Sequence, residues 1–280
     1  IHTTYQQTGT VTGRVSSHNP NLQNIPIRTE LGMEIRKAFI PSDGYTLVSF
    51  DYSQIDLRVA AALSEDKIML EAFAAGEDIH TVTAARVNGV AASAVTKEMR
   101  RQAKVINFGI LYGMGSTALS ELTGTTRAEA KEYIRQYFNA FSGIERYIEQ
   151  TKVFARKHGY VATALGRRRY LPAINSNQFR ASREAERMAV NMPIQGTAAD
   201  IINQAMIDIA REFHLIERPK DSVRMLLQVH DELVFEIRTS EVLTATQRIR
   251  ELMEGASTLS VHMKVDVREG ESWGALHAIS

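Results

Sequence analysis

The chain has 280 residues, 44% hydrophobic and 23% charged, with 33 Lys and Arg against 32 Asp and Glu and a formal charge of +1. Such a composition excludes a disordered or collagen-like chain, and the length allows one large or two ordinary domains that bury about three quarters of the unfolded surface. No apolar run is long enough for a membrane-spanning helix, and zero cysteines exclude disulfides, thiolate nucleophiles and thiolate-held zinc. Any metal must then sit on carboxylates, histidines or carbonyls. The chain begins Ile1-His-Thr-Thr4 with neither Met nor a basic, apolar leader, which predicts a piece of a longer polypeptide.

The first predicted element is a buried strand over 45–52, apolar and β-branched, entered after the turn signal Pro41-Ser-Asp-Gly44 and carrying an acid, Asp51, at its end. Helical periodicity then predicts helices over 55–63, 79–87, 96–108, 127–138, 143–157, 180–191, 198–213 and 240–256. Strands over 224–229 and 233–237 are separated only by His230-Asp231-Glu232, a tight hairpin whose tip bears two carboxylates. A further alternating strand covers 262–268. Strands at both ends around a helical insert give an α+β class: an antiparallel sheet carrying acids and a helical part carrying bases. Charge is indeed uneven. Nine basic residues between Lys152 and Arg187 face two acids, a local +7, so everything else sums to −6. A block of that kind suits a phosphate backbone or an acidic partner as well as it suits a solvated face.

Three constellations carry chemistry. Asp51 and Asp231 each stand where a strand meets a turn, the second with Glu232 beside it. Acids on adjacent strands can bridge two divalent ions for phosphoryl transfer, because hard cations prefer oxygen ligands; any one strand-end Asp can equally serve its own turn. Arg100, Lys104, Phe108 and Tyr112 recur every four residues, giving a slowly drifting stripe that is basic and then aromatic. It can hold a triphosphate and stack a base, or it can be an amphipathic helix with aromatic core anchors and a basic rim. Gly109 and Gly113 speak for close approach of a ligand, since each interior glycine costs about 1 kcal/mol. Arg187, Asn191 and Gln195 repeat the four-residue spacing and offer donors for base edges, or a polar helix face interrupted by Pro193. His80, on its own residues, reads as a satisfied surface histidine.

Taken together, Asp51-Tyr-Ser-Gln-Ile-Asp-Leu-Arg58, Arg100-Arg-Gln-Ala-Lys-Val-Ile-Asn-Phe-Gly-Ile-Leu-Tyr-Gly113 and Gln228-Val-His-Asp-Glu232 resemble, in order, the three polymerase motifs of the family A (bacterial DNA polymerase I type) DNA polymerases. Thr12-Gly-Arg-Val-Ser-Ser17, Pro20-Asn-Leu-Gln-Asn-Ile-Pro26 and Gln195-Gly-Thr-Ala-Ala-Asp200 fit the same family, so the resemblance spans the whole chain. It implies a right-hand polymerase with palm over 1–60 and 186–280 and fingers over 61–185. The activity implied is template-directed addition of dNTPs to a primer 3′-hydroxyl by two-metal in-line transfer with release of pyrophosphate, using two Mg2+ ions, with Mn2+ as an alternative.

The resemblance makes Asp51 and Asp231 the metal-bridging catalytic acids, with the Tyr52 carbonyl as a further metal ligand and Glu232 assisting. Arg100, Lys104 and His80 would hold the triphosphate, Lys104 also protonating departing pyrophosphate. Phe108 would pack on the incoming nucleotide and Tyr112 would close the pocket, while Arg28 and Gln54 would line it. Arg14, Arg187, Asn191, Gln195 and His230 would contact primer-template DNA. The implied protein is a monomer of the bacterial cytoplasm and nucleoid, without a membrane partner. Two departures stand out. The family's thumb and any exonuclease domain are missing from the 280 residues, which predicts a palm-and-fingers piece. The family's Glu five residues after the first metal Asp is here Asp56, which predicts a hydrogen bond to Tyr112 that stretches unless Leu57 and its neighbours shift the helix closer, and weaker exclusion of ribonucleotides. A single-subunit RNA polymerase and a catalytically idle nucleic-acid-binding fragment are the rival readings.

Overall fold

The computed structural model describes residues 1–27, 29–217 and 222–279. Arg28, expected at the nucleotide site, lies outside the described residues. In chain order come β1 (Thr4–Gln6), β2 (Ser16–His18), α1 (Glu30–Lys37), β3 (Tyr45–Tyr52), α2 (Ile55–Ser64), α3 (Lys67–Ala74) and α4 (Ile79–Asn88). They are followed by α5 (Lys97–Leu111), α6 (Ser116–Thr123), α7 (Arg127–Ala140), α8 (Ser142–His158), β4 (Tyr160–Ala162), β5 (Arg168–Tyr170) and α9 (Phe179–Glu212). The chain finishes with β6 (Val223–Val229), β7 (Glu232–Arg238), α10 (Val242–Gly255), β8 (Val265–Gly270) and β9 (His277–Ala278). Two compact units result: one from 1–55, 199–258 and 263–280, the other from 56–198 and 259–262.

The first unit is built on a five-stranded sheet of order β6-β7-β3-β8-β9, every pairing antiparallel. This is the α+β class predicted. The strand expected over 45–52 is its centre, because Leu47, Val48, Ser49 and Phe50 are buried in succession and both edges of β3 are paired. Phe50 meets Phe235 of β7 edge to face at 5.4 Å, worth about 1 kcal/mol beyond the area buried. Leu47, Val229, Val234 and Trp273 form a second apolar cluster of the unit. The hairpin is tighter than predicted: Val229 pairs directly with Glu232, leaving only His230 and Asp231 in the turn. The last predicted strand begins later, at Val265.

In the second unit most predicted helices are present with ends shifted by a few residues. Thr96, expected inside the helix over 96–108, instead caps α5 by accepting from Met99 N at 3.2 Å. Three short helices, α1 of the first unit and α3 and α6 of the second, were not predicted. The helices expected over 180–191 and 198–213 are a single helix, α9, that runs through Pro193. Proline in a helix interior costs about 3 kcal/mol. Here the flanking Ala189, Val190, Met192 and Ile194 are buried, and their packing offsets that loss. Asp66, itself buried, caps α3 at Met69 N (3.2 Å) and accepts from Gly143 N (2.9 Å), so one carboxylate ties the starts of two helices.

Candidate active site

Pairing register builds the acidic part of the first unit. Asp51 sits opposite Glu232 on one side and Asp266 on the other, so strand geometry alone brings three acids into one row. Asp231 follows in the two-residue turn. Tyr52 N donates to Asp231 O at 3.1 Å, which ties the turn to the end of β3. His230 takes φ +54°, an uncommon left-handed conformation for a residue with a side chain, and its carbonyl accepts from Gln228 Nε2 at 2.5 Å. The acids are not equivalent. Partial burial of the carboxyl, then the nearby charges of Glu232 and Asp231, push Asp51 up to about 7. Glu232 Oε1 is held by Ser49 Oγ (2.5 Å) and Trp273 Nε1 (3.3 Å), and Asp231 Oδ1 lies 3.9 Å from the Arg14 guanidinium.

Among the described residues no three His, Asp or Glu side chains converge closely enough to grip a metal ion as they stand. The donor set nevertheless suits a hard divalent cation. A carboxyl that burial first, and then neighbouring acids, keep protonated near neutrality is relieved by added positive charge, and a cation recruits oxygen ligands of this kind. Asp51, Asp231 and Glu232 line a cleft of about 430 Å³ together with Gln23, Asn24, Ile25, Pro26, Arg36 and His230. The Pro20 to Pro26 motif is thereby placed beside the acids.

The stripe on α5 belongs to the second unit. Arg100, Lys104 and Tyr112 are exposed and Phe108 is half-buried, while Ala103, Ile106, Asn107, Ile110 and Leu111 form the buried face. The aromatics are therefore not the helix's core anchors. Phe108 and Tyr112 lie nearly parallel at 6.5 Å. The two glycines, however, have a local cause rather than a ligand. Gly113 N donates to Ile110 O (3.0 Å) and Met114 N to Gly109 O (2.8 Å), a left-handed helix end with Gly113 at φ +69°. A Cβ at Gly109 would lie 2.9 Å from Met114 Sδ, and one at Gly113 2.7 Å from Arg187 Cγ.

Tyr112 Oη donates to Asp56 Oδ2 at 3.0 Å. The stretched bond predicted for the shorter acid is not found: Asp56 is 7% exposed and reached at ordinary length. Arg100 donates through Nε (2.6 Å) and Nη2 (3.1 Å) to Asp78, which also caps α4 and accepts from Thr81 Oγ1. This fork pairing helps to hold the Asp78 carboxyl down at about 2, against its partial burial.

His80 is not a surface histidine. It is 3% exposed, tilted against Phe108 at 5.9 Å, and its Nδ1 lies 3.0 Å from Asn107 Nδ2, whose Oδ1 is 3.1 Å from Thr83 Oγ1. Burial above all, with Arg100 and Lys104 acting against the pull of Asp78, lowers it to about 4. It is thus a neutral imidazole at pH 7. Between about pH 4 and 6.5 the unfolded chain binds the proton and the folded one does not, so stability falls as pH drops through that window. His80→Gln is expected to flatten this acid limb in denaturant titrations; an unchanged pH slope would contradict the assignment.

Of the residues expected on DNA, Arg14 and His230 belong to the first unit, Arg14 beside Asp231 and His230 in the hairpin turn. Arg187, Asn191 and Gln195 lie on α9 within the second unit, where Arg187 reaches the end of α5. Gln54, at φ +57°, forms the turn between β3 and α2. Asp78, Asn107 and Asp266 were not singled out. Asp78 could have been recognised as a helix cap, whereas the partners of Asn107 and Asp266 are remote in sequence.

The model of DNA polymerase family A matches residues 1–275, and the chain belongs to that family. It is 49% identical to DNA polymerase I of Deinococcus radiodurans and 47% identical to the thermostable DNA polymerase I of Thermus aquaticus, in each case over 98% of this chain. It spans 28% and 32% of those relatives' length. Among solved structures it is similar to the POL domain of Pol1 from M. smegmatis in complex with DNA primer-template and dNTP, with TM-score 0.93 and 46% identity over 99% of this chain and 48% of that one. No helix among the described residues is long and apolar enough to cross a membrane.

Proposed function

We propose that this chain is the palm-and-fingers part of a template-directed DNA polymerase, the first unit serving as palm and the second as fingers. The observation that carries the reading is the acidic row of Asp51 and Glu232 with Asp231 in the adjoining turn, carboxylates that strand pairing holds together against their own repulsion. Asp51 and Asp231, with the Tyr52 carbonyl, would hold Mg2+, with Mn2+ as a substitute. When bound, the ions would activate the primer hydroxyl and neutralise charge on the phosphates. Glu232, fixed by Ser49 and Trp273, keeps the row in place. Lys104 and Arg100 bind the triphosphate as cations, and neutral His80 contributes a hydrogen bond rather than a charge. Phe108 and Tyr112 offer stacked faces to sugar and base, and Gln54 lines the nucleotide site. Arg14, Arg187, Asn191, Gln195 and His230 contact the primer-template. Extension of a labelled primer by dNTPs with Mg2+, and none with rNTPs on an unprimed template, is the expected result. Failure of the primed reaction with either ion would refute the reading.

Asp56 also acquires a role. Its contact with Tyr112 makes a floor for the incoming sugar that is one methylene shorter than the family's Glu would give. One methylene is worth about 10- to 200-fold in kcat/KM, so Asp56→Glu is expected to raise the dCTP over CTP ratio opposite the same template base within that range. An unchanged ratio would mean that Tyr112, drawn in by the shorter acid, already forms the wall.

A further inference from the structure

The end of α8 and the β4–β5 hairpin carry a group of aromatic side chains that no step above uses. Phe154 stacks at a tilt on His158 at 4.3 Å, meets Tyr160 edge to face at 5.6 Å, and Tyr160 meets Tyr170 at 5.9 Å. The Arg168 guanidinium lies 4.7 Å over the Tyr160 ring. Core aromatics would be covered, yet Phe154 is 40% and Tyr170 69% exposed. A contiguous exposed aromatic patch marks a contact surface. The chemistry of the contact follows from its surroundings. Lys157, Arg167 and Arg168 are exposed and adjoin the ring-bearing residues along the chain, inside the segment whose local charge is +7, and its Glu186 is already engaged by Arg156 and Arg183. A protein-binding face is depleted in lysine at its centre. Open π-faces interleaved with cations suit instead a polyanion that carries flat bases it can present unstacked, which a single strand can and a closed duplex cannot.

We infer that this surface is a stacking platform for single-stranded DNA, separate from the residues assigned to nucleotide and primer. Bases lie on Tyr170 and Phe154, and Lys157, Arg167 and Arg168 meet the phosphates. The inference goes beyond the catalytic reading and is tested apart from it, because oligonucleotide binding can be kept or lost whether or not nucleotides are added.

The test is fluorescence anisotropy of a labelled oligothymidylate with the full chain, beside a blunt duplex. Stacking of a base on an aromatic residue predicts that Tyr170→Ala and Phe154→Ala each weaken single-strand binding about 5- to 150-fold, with the blunt duplex unaffected. Tyr170→Phe should bind as wild type and Tyr170→Leu as the alanine variant, since leucine is apolar without a π-face. Lys157→Gln should reduce the salt slope by about 0.7, the counterion share of a single phosphate. Tyr170 and Lys157 are exposed, so unchanged thermal midpoints accompany the expected result in their variants. Wild-type single-strand affinity in both alanine variants, or an equal loss on blunt duplex, overturns the inference. So does self-association abolished by the same substitutions with single-strand binding intact, which would give the patch to a second copy of the chain.

Discussion

Asp51→Asn and Asp231→Asn are each expected to lower nucleotide addition about 10³-fold or more while leaving the fold intact. Charge stabilisation of the transferring phosphoryl group by metal ions is worth several kcal/mol, and each 1.4 kcal/mol is about tenfold in rate. A carboxamide carries no charge with which to hold cations. Loss of activity through misfolding is separable by the sign of the stability change. Asp51 keeps its proton up to about 7 in the folded chain and releases it near 3.8 when unfolded. Its ionisation therefore costs stability as pH rises through that interval. Asn cannot ionise beside Glu232 and Asp231, so Asp51→Asn in metal-free buffer should be at least as stable as the parent above pH 7, with a flatter pH dependence of its urea midpoint. Near-normal primer extension by either variant would overturn the metal assignment.

Lys104→Ala is expected to raise KM for the nucleotide and to lower kcat about 10²- to 10⁴-fold, the range of a lost general acid. Lys104 is exposed on α5, one turn from Arg100, and near enough to His80 to depress its protonation. An ammonium in that place holds the triphosphate in the ground state and can supply the proton that pyrophosphate takes as it leaves. Arg100 cannot take over the second task, because a guanidinium does not release its proton and this one is forked to Asp78. Lys104→Arg should accordingly recover much of KM but little of kcat. An effect confined to DNA affinity would move Lys104 to the template side.

The sequence was most legible where one period dominates. Strand 45–52 and the hairpin after Arg224 are apolar enough to identify both elements and the acids at their ends, and the four-residue stripe on α5 is plain. Less legible were α3 and α6, eight residues each, too short for a periodic pattern and dependent on neighbours for stability. Pro193 misled because local propensity yields to packing when both flanks are buried. The candidate site shows the same division. Residue types could suggest Asp51, Asp231 and Lys104, but the burial of His80 depends on Asn107, 27 positions away, and the length of the Asp56 to Tyr112 bond depends on a contact across 56. Such facts exist only once the chain has closed on itself.

The pairing of Asp51 with both Glu232 and Asp266 sets a phase as well as a distance. Side chains on a strand alternate between faces, so a slip of β7 or β8 by one residue against β3, in the direction that advances its C-terminal neighbour, would turn its acid away from Asp51 and bring Leu233 or Val267 into that place. The same slip would undo the packing of the interior, in which Phe50 of β3 meets Phe235 of β7. Assembly of the charged row and formation of the apolar interior are therefore one event. A mis-registered sheet therefore forfeits the interior together with the acidic centre, so errors of register are removed by folding itself rather than by loss of function afterwards.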